Sequence, residues 1–146
     1  MIPLSRRSLF AIAAVVDIAL HARPMPVAAR ALAERHNLPP RHLETVLQAL
    51  VRAGILKGTR GPRGGYELAR ERRRITVADI VRAAGGAADE PAPSPSPLLQ
   101  RAVLSVLAEA ADSFLAALDR ITVEDLCERA GPQSDLGNDH IHDIGL

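Results

Sequence analysis

The sequence predicts a mainly α-helical protein with one small β-hairpin, and three observations predict it. Only 2% of the 146 residues are aromatic while 47% are hydrophobic, so Ala, Leu, Val and Ile must fill the core, as close-packed small helices do. Apolar residues recur at three- and four-residue spacing in successive windows, the mark of helices with one buried face. A Gly/Pro-rich stretch between two short apolar runs, residues 55–69, breaks that rhythm and reads as a hairpin. A chain of this length can bury roughly two-thirds of the surface that its unfolded form exposes, enough for a core.

The first helix is expected from Arg6 to His21, with Ser5 as its N-cap and Arg23-Pro24-Met25-Pro26 ending it. Leu9, Ile12, Ala13, Val16, Ala19 and Leu20 recur at helical spacing and are its expected packing face. Arg6 and Arg7 ahead of an apolar run imitate a secretion signal, but Asp17 interrupts that run and favours a helix packed on a core. No apolar run reaches the 18 residues that a membrane span needs.

A second, short helix is expected from Val27 to Arg35, followed by a turn at His36-Asn37-Leu38. A third begins at Pro39-Pro40, where proline is tolerated. Along it Leu43, Val46, Leu47, Leu50 and Val51 share one face, while Arg41, Glu44, Thr45, Gln48 and Arg52 share the opposite one. Gly54 caps its end. The hairpin then presents Arg60 and Arg63 at its tip, and a fourth helix spans Thr76 to Ala84.

Pro and Ser nearly alternate at the end of residues 85–97, which reads as an extended loop. Ser96-Pro97 then opens a long helix. Leu99, Val103, Val106, Ala110, Phe114, Ala117 and Ile121 repeat there at three and four residues, a seam for another helix and the expected dimerisation surface. Ile75 to Ile80 and Ile121 to Leu126 are similar phrases, each with a Thr and an acid three residues later, which is the chemistry of a capping box. The chain thus divides into a domain at 1–86, a loop at 87–97, a dimerisation helix with a short following helix at 98–130, and a flexible tail at 131–146.

Charge separates the two halves. Residues 1–86 hold 15 Lys and Arg against 6 Asp and Glu, and residues 87–146 hold 3 against 11, so +9 and −8 sum to the chain's +1. Such segregation suggests a polyanion partner for the first half. A polar helix face is more often plain solvated surface, and a Gly-Pro loop more often a simple turn. Their order decides the reading: short helix, tight turn, helix with a polar outward face, arginine-tipped hairpin. That is a winged helix-turn-helix. A helix fits the major groove of duplex DNA, where each base pair shows its own donor and acceptor pattern. Here Arg41, His42, Glu44 and Thr45, with Gln48 one turn on, would meet base edges. The wing's Arg60 reaches toward a narrow minor groove, with Arg63 beside it and Arg6 and Arg7 as further basic contacts.

At these residues the chain resembles the Rrf-type (IscR-, NsrR- and CymR-like) transcription regulators. The matching phrases are Ala11 to Leu20, Leu32 to Arg35, Leu43 to Leu47, Leu50 to Leu56, Arg60 to Ala69 and Ile75 to Ile80, continued by Phe114-Leu115 and Ile121 to Leu126. The resemblance covers about residues 4–127, and the RGPRGGYELA wing followed by ITVADI is its most specific part. It implies a winged helix-turn-helix whose long carboxy-terminal helix crosses its twin in a dimer, with Glu44 reading bases and Arg60 entering the minor groove. Cluster-binding members place three cysteines in the loop before the long helix, and this loop has none. Where some members supply an acidic ligand stands Ser8, and where others supply a histidine stands Leu104. The iron–sulfur chemistry is not carried over, and no cofactor or metal is expected.

The single cysteine, Cys127, makes no intrachain disulfide and suits a reducing cytoplasm, the expected location. A lone Cys after a helical run is more often a buried small hydrophobe than an oxidation sensor. The His140 and His142 pair suits a transition metal, but such a pair in a polar terminus is more often plain tail. The five histidines form no nucleophile or metal pattern with the acids, and no phosphate loop follows a strand, so no enzyme is read. The expected partners are double-stranded DNA and a second copy of the chain, in a regulator expected to repress from a palindromic operator. The alternative is a winged-helix adaptor that binds protein instead of DNA.

Overall fold

The computed structural model describes residues 4–85 and 96–131. Helix α1 spans Arg6–His21, and the Ser5 side chain caps it by accepting from the Ser8 amide at 3.1 Å. Its buried face is Ser8, Ala11, Ala14, Val15, Asp17 and Ile18. This corrects the sequence expectation by one stripe: Leu9 is exposed, and Ile12, Ala13, Val16, Ala19 and Leu20 are only half-buried. The reason is size. Ser8, Ala11 and Ala14 let α1 lie close against its neighbours, so the bulkier residues are left on its flanks.

Helix α2 spans Ala29–His36 and α3 spans Pro40–Arg52. The turn between them is made by Asn37 in the left-handed region (φ 51°), a conformation that Asn tolerates better than most residues. Helix α2 starts two residues later than expected because Val27 is taken by a strand pairing. Helix α3 buries Leu43, Val46, Leu47, Ala49 and Leu50, while Val51, expected to be buried with them, is 36% exposed. A Schellman turn ends it: the Gly54 amide donates to Val51 O and the Ile55 amide to Leu50 O, both at 3.0 Å, with Gly54 at φ 76°. Ile55 thereby turns into the core at 1% exposure.

Strands β1 (Leu56–Thr59) and β2 (Gly65–Leu68) pair antiparallel with Leu56 opposite Leu68 and Thr59 opposite Gly65. Val27 adds a third rung to this wing: its amide donates to Tyr66 O at 3.0 Å and its carbonyl accepts from the Tyr66 amide at 2.8 Å. The pairing is close enough to require glycine. A Cβ on Gly65 would sit 2.5 Å from Val27 O, and one on Gly64 would sit 2.2 Å from Thr59 O.

A single 3-10 turn, Arg72–Arg74, leads to α4, Val77–Ala83. The carboxy-terminal part runs from a π-helical turn, Leu99–Leu104, directly into α5, Ser105–Leu118, and then α6, Val123–Ala130. Both expected capping boxes form, Thr76 with Asp79 and Thr122 with Asp125. The two similar phrases also pair with each other. The Val77 amide donates to Ile121 O and the Val123 amide to Ile75 O, each at 2.8 Å, which clamps the second half to the first. Helix α5 ends at Leu118, so Ile121 lies past the helical seam on which it was expected. Helix α1 packs on α3, α4 and α6 around one cluster that includes Ile18, Leu32, Leu47, Leu50, Ile80 and Val123. Among the described residues no helix is long and apolar enough to cross a membrane.

Candidate nucleic-acid interface

The polar side of α3 is free along its length. Arg41, His42, Glu44, Thr45, Gln48 and Arg52 are all exposed, because the opposite side is consumed by the core and fixes the helix's rotation. The Thr45 hydroxyl donates back to Arg41 O at 3.4 Å. Arg60 and Arg63 are exposed in the loop between β1 and β2, where Gly61 at φ 110° and the Gly64 close contact shape the turn. A cleft of ≈ 600 Å³ separates α3 from the wing, bringing Gln48 within one concavity with Thr59 and Arg60. Arg6 and Arg7 are exposed on the first turn of α1, and belong to neither α3 nor the wing.

Ion pairing sorts the arginines. Arg30, Arg35, Arg70, Arg72, Arg73, Arg74 and Arg82 each lie within 4.0 Å of a carboxylate, as does Lys57. Among the described residues 4–85, Arg6, Arg7, Arg23, Arg41, Arg52, Arg60 and Arg63 have no such partner. Apart from Arg23, which follows α1, the unpaired cations of the first half lie at the start of α1, on the outward face of α3 and at the wing tip. Unpaired guanidinium groups are the ones available to an external anion.

The scaffold beneath contains a cluster that the sequence did not reveal. Asp17 is 4% exposed and accepts from Arg35 Nε at 2.8 Å, Arg35 Nη2 at 2.6 Å and His36 Nε2 at 2.7 Å, with His21 Nδ1 3.2 Å away. Two of the five histidines do therefore gather on an acid, 15 residues apart in sequence, as part of an ion-pair lock between α1 and α2. Burial pushes the Asp17 carboxyl up, but the Arg35 and His36 hydrogen bonds and the Arg35 and His21 charges hold it below its ordinary value. No sequence spacing marks this contact, because Asp17 and Arg35, 18 residues apart on different helices, meet only through the tertiary fold.

Cys127 is 6% exposed and its thiol is pushed up by burial, the environment of a packed hydrophobe and not of a reactive thiolate. Among the described residues no three His, Cys, Asp or Glu side chains are placed to hold a metal. Ser8 is fully buried and hydrogen-bonded to Ser5. The His140 and His142 pair and most of the Pro/Ser loop lie outside the described residues.

Residues 4–129 match the model of the Rrf2 family, described as iron-dependent transcriptional regulators. The chain belongs to the Rrf2 family. A Synechocystis protein named as HTH-type transcriptional regulator slr0846 is 37% identical over 127 residues, covering 84% of this chain and 86% of that one. Among solved structures, T. potens IscR superposes with a TM-score of 0.70 at 32% identity, covering 88% of both chains. CymR, described as the global cysteine regulator of B. subtilis, superposes with a TM-score of 0.69 at 26% identity, covering 88% of this chain and 98% of its own. The fold is accordingly that of a winged-helix Rrf2 transcriptional regulator with a DNA-binding domain. The family's description invokes iron, and this chain's donors do not fit a cysteine-ligated cluster, since its full sequence supplies one thiol and that thiol is buried.

Proposed function

We propose that this Rrf2 regulator binds a palindromic operator as a homodimer, represses transcription from it, and does so without an iron–sulfur cluster. The observation that carries the reading is the set of unpaired, exposed arginines on α3 and the wing, beside a scaffold in which Arg30, Arg35, Arg70, Arg72, Arg73, Arg74 and Arg82 are each paired with a carboxylate. On this reading α3 enters the major groove. Arg41 donates to guanine, Glu44 accepts from a cytosine amino group, Gln48 pairs with adenine, and His42 and Thr45 flank them. Arg60 enters the minor groove, and Arg63, Arg6 and Arg7 contact phosphates.

The dimer is supported by α5 and the π-helical turn before it, which bury no residue in the single chain. Leu99, Val103 and Val106 are 36%, 43% and 59% exposed, Ala110 and Ala117 are also exposed, and Phe114 is half-buried. An apolar helix this open to water needs a partner, and paired half-sites on DNA need paired readers. Residues 1–86 would then be the reading domain, 98–130 the dimerisation part, and 87–97 the loop between them. Selection of bound sequences from random duplex DNA with the purified protein tests the proposal. An enriched inverted repeat supports it. Enrichment of no sequence, together with no salt-dependent capture of duplex, would favour the protein-binding adaptor.

A further inference from the structure

The polar residues that line the cleft between α3 and the wing are all neutral or cationic. Its polar groups are the Gln48 amide, the Arg52 guanidinium, the Thr59 hydroxyl, the Arg60 guanidinium and the Tyr66 phenol, with Val51 among them, and no carboxylate lines it. Arg52 sits on the last turn of α3, whose end is fixed by the Gly54 turn. Tyr66 is held on both backbone sides by Val27, and its ring lies over Gly58, where a Cβ would already touch Cε1 at 3.7 Å. Among the described residues the Tyr66 hydroxyl has no hydrogen-bond partner and Arg52 has no ion-pair partner. A phenol anchored through its backbone and a guanidinium at the end of α3 line one concavity, both without a protein partner and so open to a ligand that accepts from several donors at once.

We propose that Arg52 and Tyr66 form a seat for one phosphodiester of the DNA backbone. The inference rests on the reading of α3 as the major-groove helix and the loop at Arg60 as the minor-groove wing. On a duplex those two grooves are separated by a single sugar-phosphate strand, so a strand straddled by α3 and the wing must run through the cleft between them. The seat fixes the register of the reading helix and carries no sequence information itself. Neither residue belongs to the base-reading set, Arg41 to Gln48, on α3. The alternating pattern of the wing strand gives the placement: Tyr66 and Gly58 are cross-strand partners, so the ring occupies the space that the glycine leaves.

Titrations of the full chain on the selected operator and on scrambled duplex, at several salt concentrations, test the seat with Tyr66→Phe and Arg52→Gln. Both variants should keep the wild-type melting temperature. Tyr66→Phe should weaken binding about three- to tenfold on both DNAs with an unchanged salt slope. Arg52→Gln should weaken both about tenfold or more and lower the slope by about one. Operators with a single methylphosphonate linkage locate the phosphate. Wild-type binding should fall at one linkage per half-site, and Arg52→Gln should be indifferent to neutralisation there. If the wild type prefers the operator but both variants match it, or no linkage couples to Arg52, the seat is overturned and the DNA reading stands. If the variants lose only affinity for inorganic phosphate and not for DNA, the cleft is a small-anion site and the proposal is likewise overturned. A wild type that binds neither duplex overturns the reading and the seat together.

Discussion

Arg35 donates two hydrogen bonds to the Asp17 carboxylate, at 2.8 and 2.6 Å, and so ties the first helix of the helix-turn-helix to α1. The carboxylate is buried while the Arg35 side chain is 39% exposed. Removing the acid therefore leaves a guanidinium that water can still reach, and the loss falls below the full cost of orphaning a buried charge. Asp17→Ala should destabilise the fold by about 2–4 kcal/mol, read by urea unfolding. A loss under about 1 kcal/mol would show that the lock is not structural.

The same site sets a pH dependence. A carboxyl held below its ordinary value in the folded state adds stability that is complete above its unfolded value, roughly pH 4, and lost as pH falls through the folded one. From about pH 5 to about pH 3 the wild type should thus lose more unfolding free energy than Asp17→Asn, which has no proton to take up there. Parallel losses in the two proteins would contradict this.

Gly65 lies where the wing meets Val27, and an added Cβ would fall 2.5 Å from Val27 O. Backbone on both sides must then move. Gly65→Ala should cost about 1–3 kcal/mol and weaken DNA binding by displacing the wing, as thermal melting and titration would show. An unchanged melting curve would mean that Val27 does not pair with the wing in solution.

The open seam on α5 predicts a homodimer, with a light-scattering mass twice that of the chain at micromolar concentration. Glu at both Val106 and Ala110 should yield monomers and reduce operator affinity with the loss of paired half-sites. A wild-type monomer, or a charged variant still dimeric, would remove the seam from the interface.

Much of this was legible in the sequence because local chemistry writes local structure. Ser5, Pro40, Gly54, Thr76 and Thr122 mark helix ends by caps that need only their neighbours. The outward face of α3 was likewise readable from its period. Misplacing the buried stripe of α1 has a different origin: hydrophobicity ranked Leu9 and Ile12 above Ala11 and Ser8, whereas close packing chose the small residues. The Val27–Tyr66 rung, the Asp17 cluster and the pairing of Ile75–Val77 with Ile121–Val123 join distant segments, and no spacing within one window encodes them. The site was legible as a list of residues; which arginines remain unpaired, and hence available, needed the fold.

The central claim is that α3 reads bases and the wing reads groove shape, and binding titrations of Glu44→Ala and Arg60→Ala on operator and scrambled DNA at several salt concentrations test it most directly. A carboxylate that close to phosphates repels them, so Glu44→Ala should narrow the affinity gap between the two DNAs while non-specific binding holds level or rises. Arg60→Ala should cost about 1–3 kcal/mol on the operator and lower the salt slope by about one. Equal weakening on both DNAs by Glu44→Ala, or no effect of Arg60→Ala, would contradict the assignment of the reading helix and its wing.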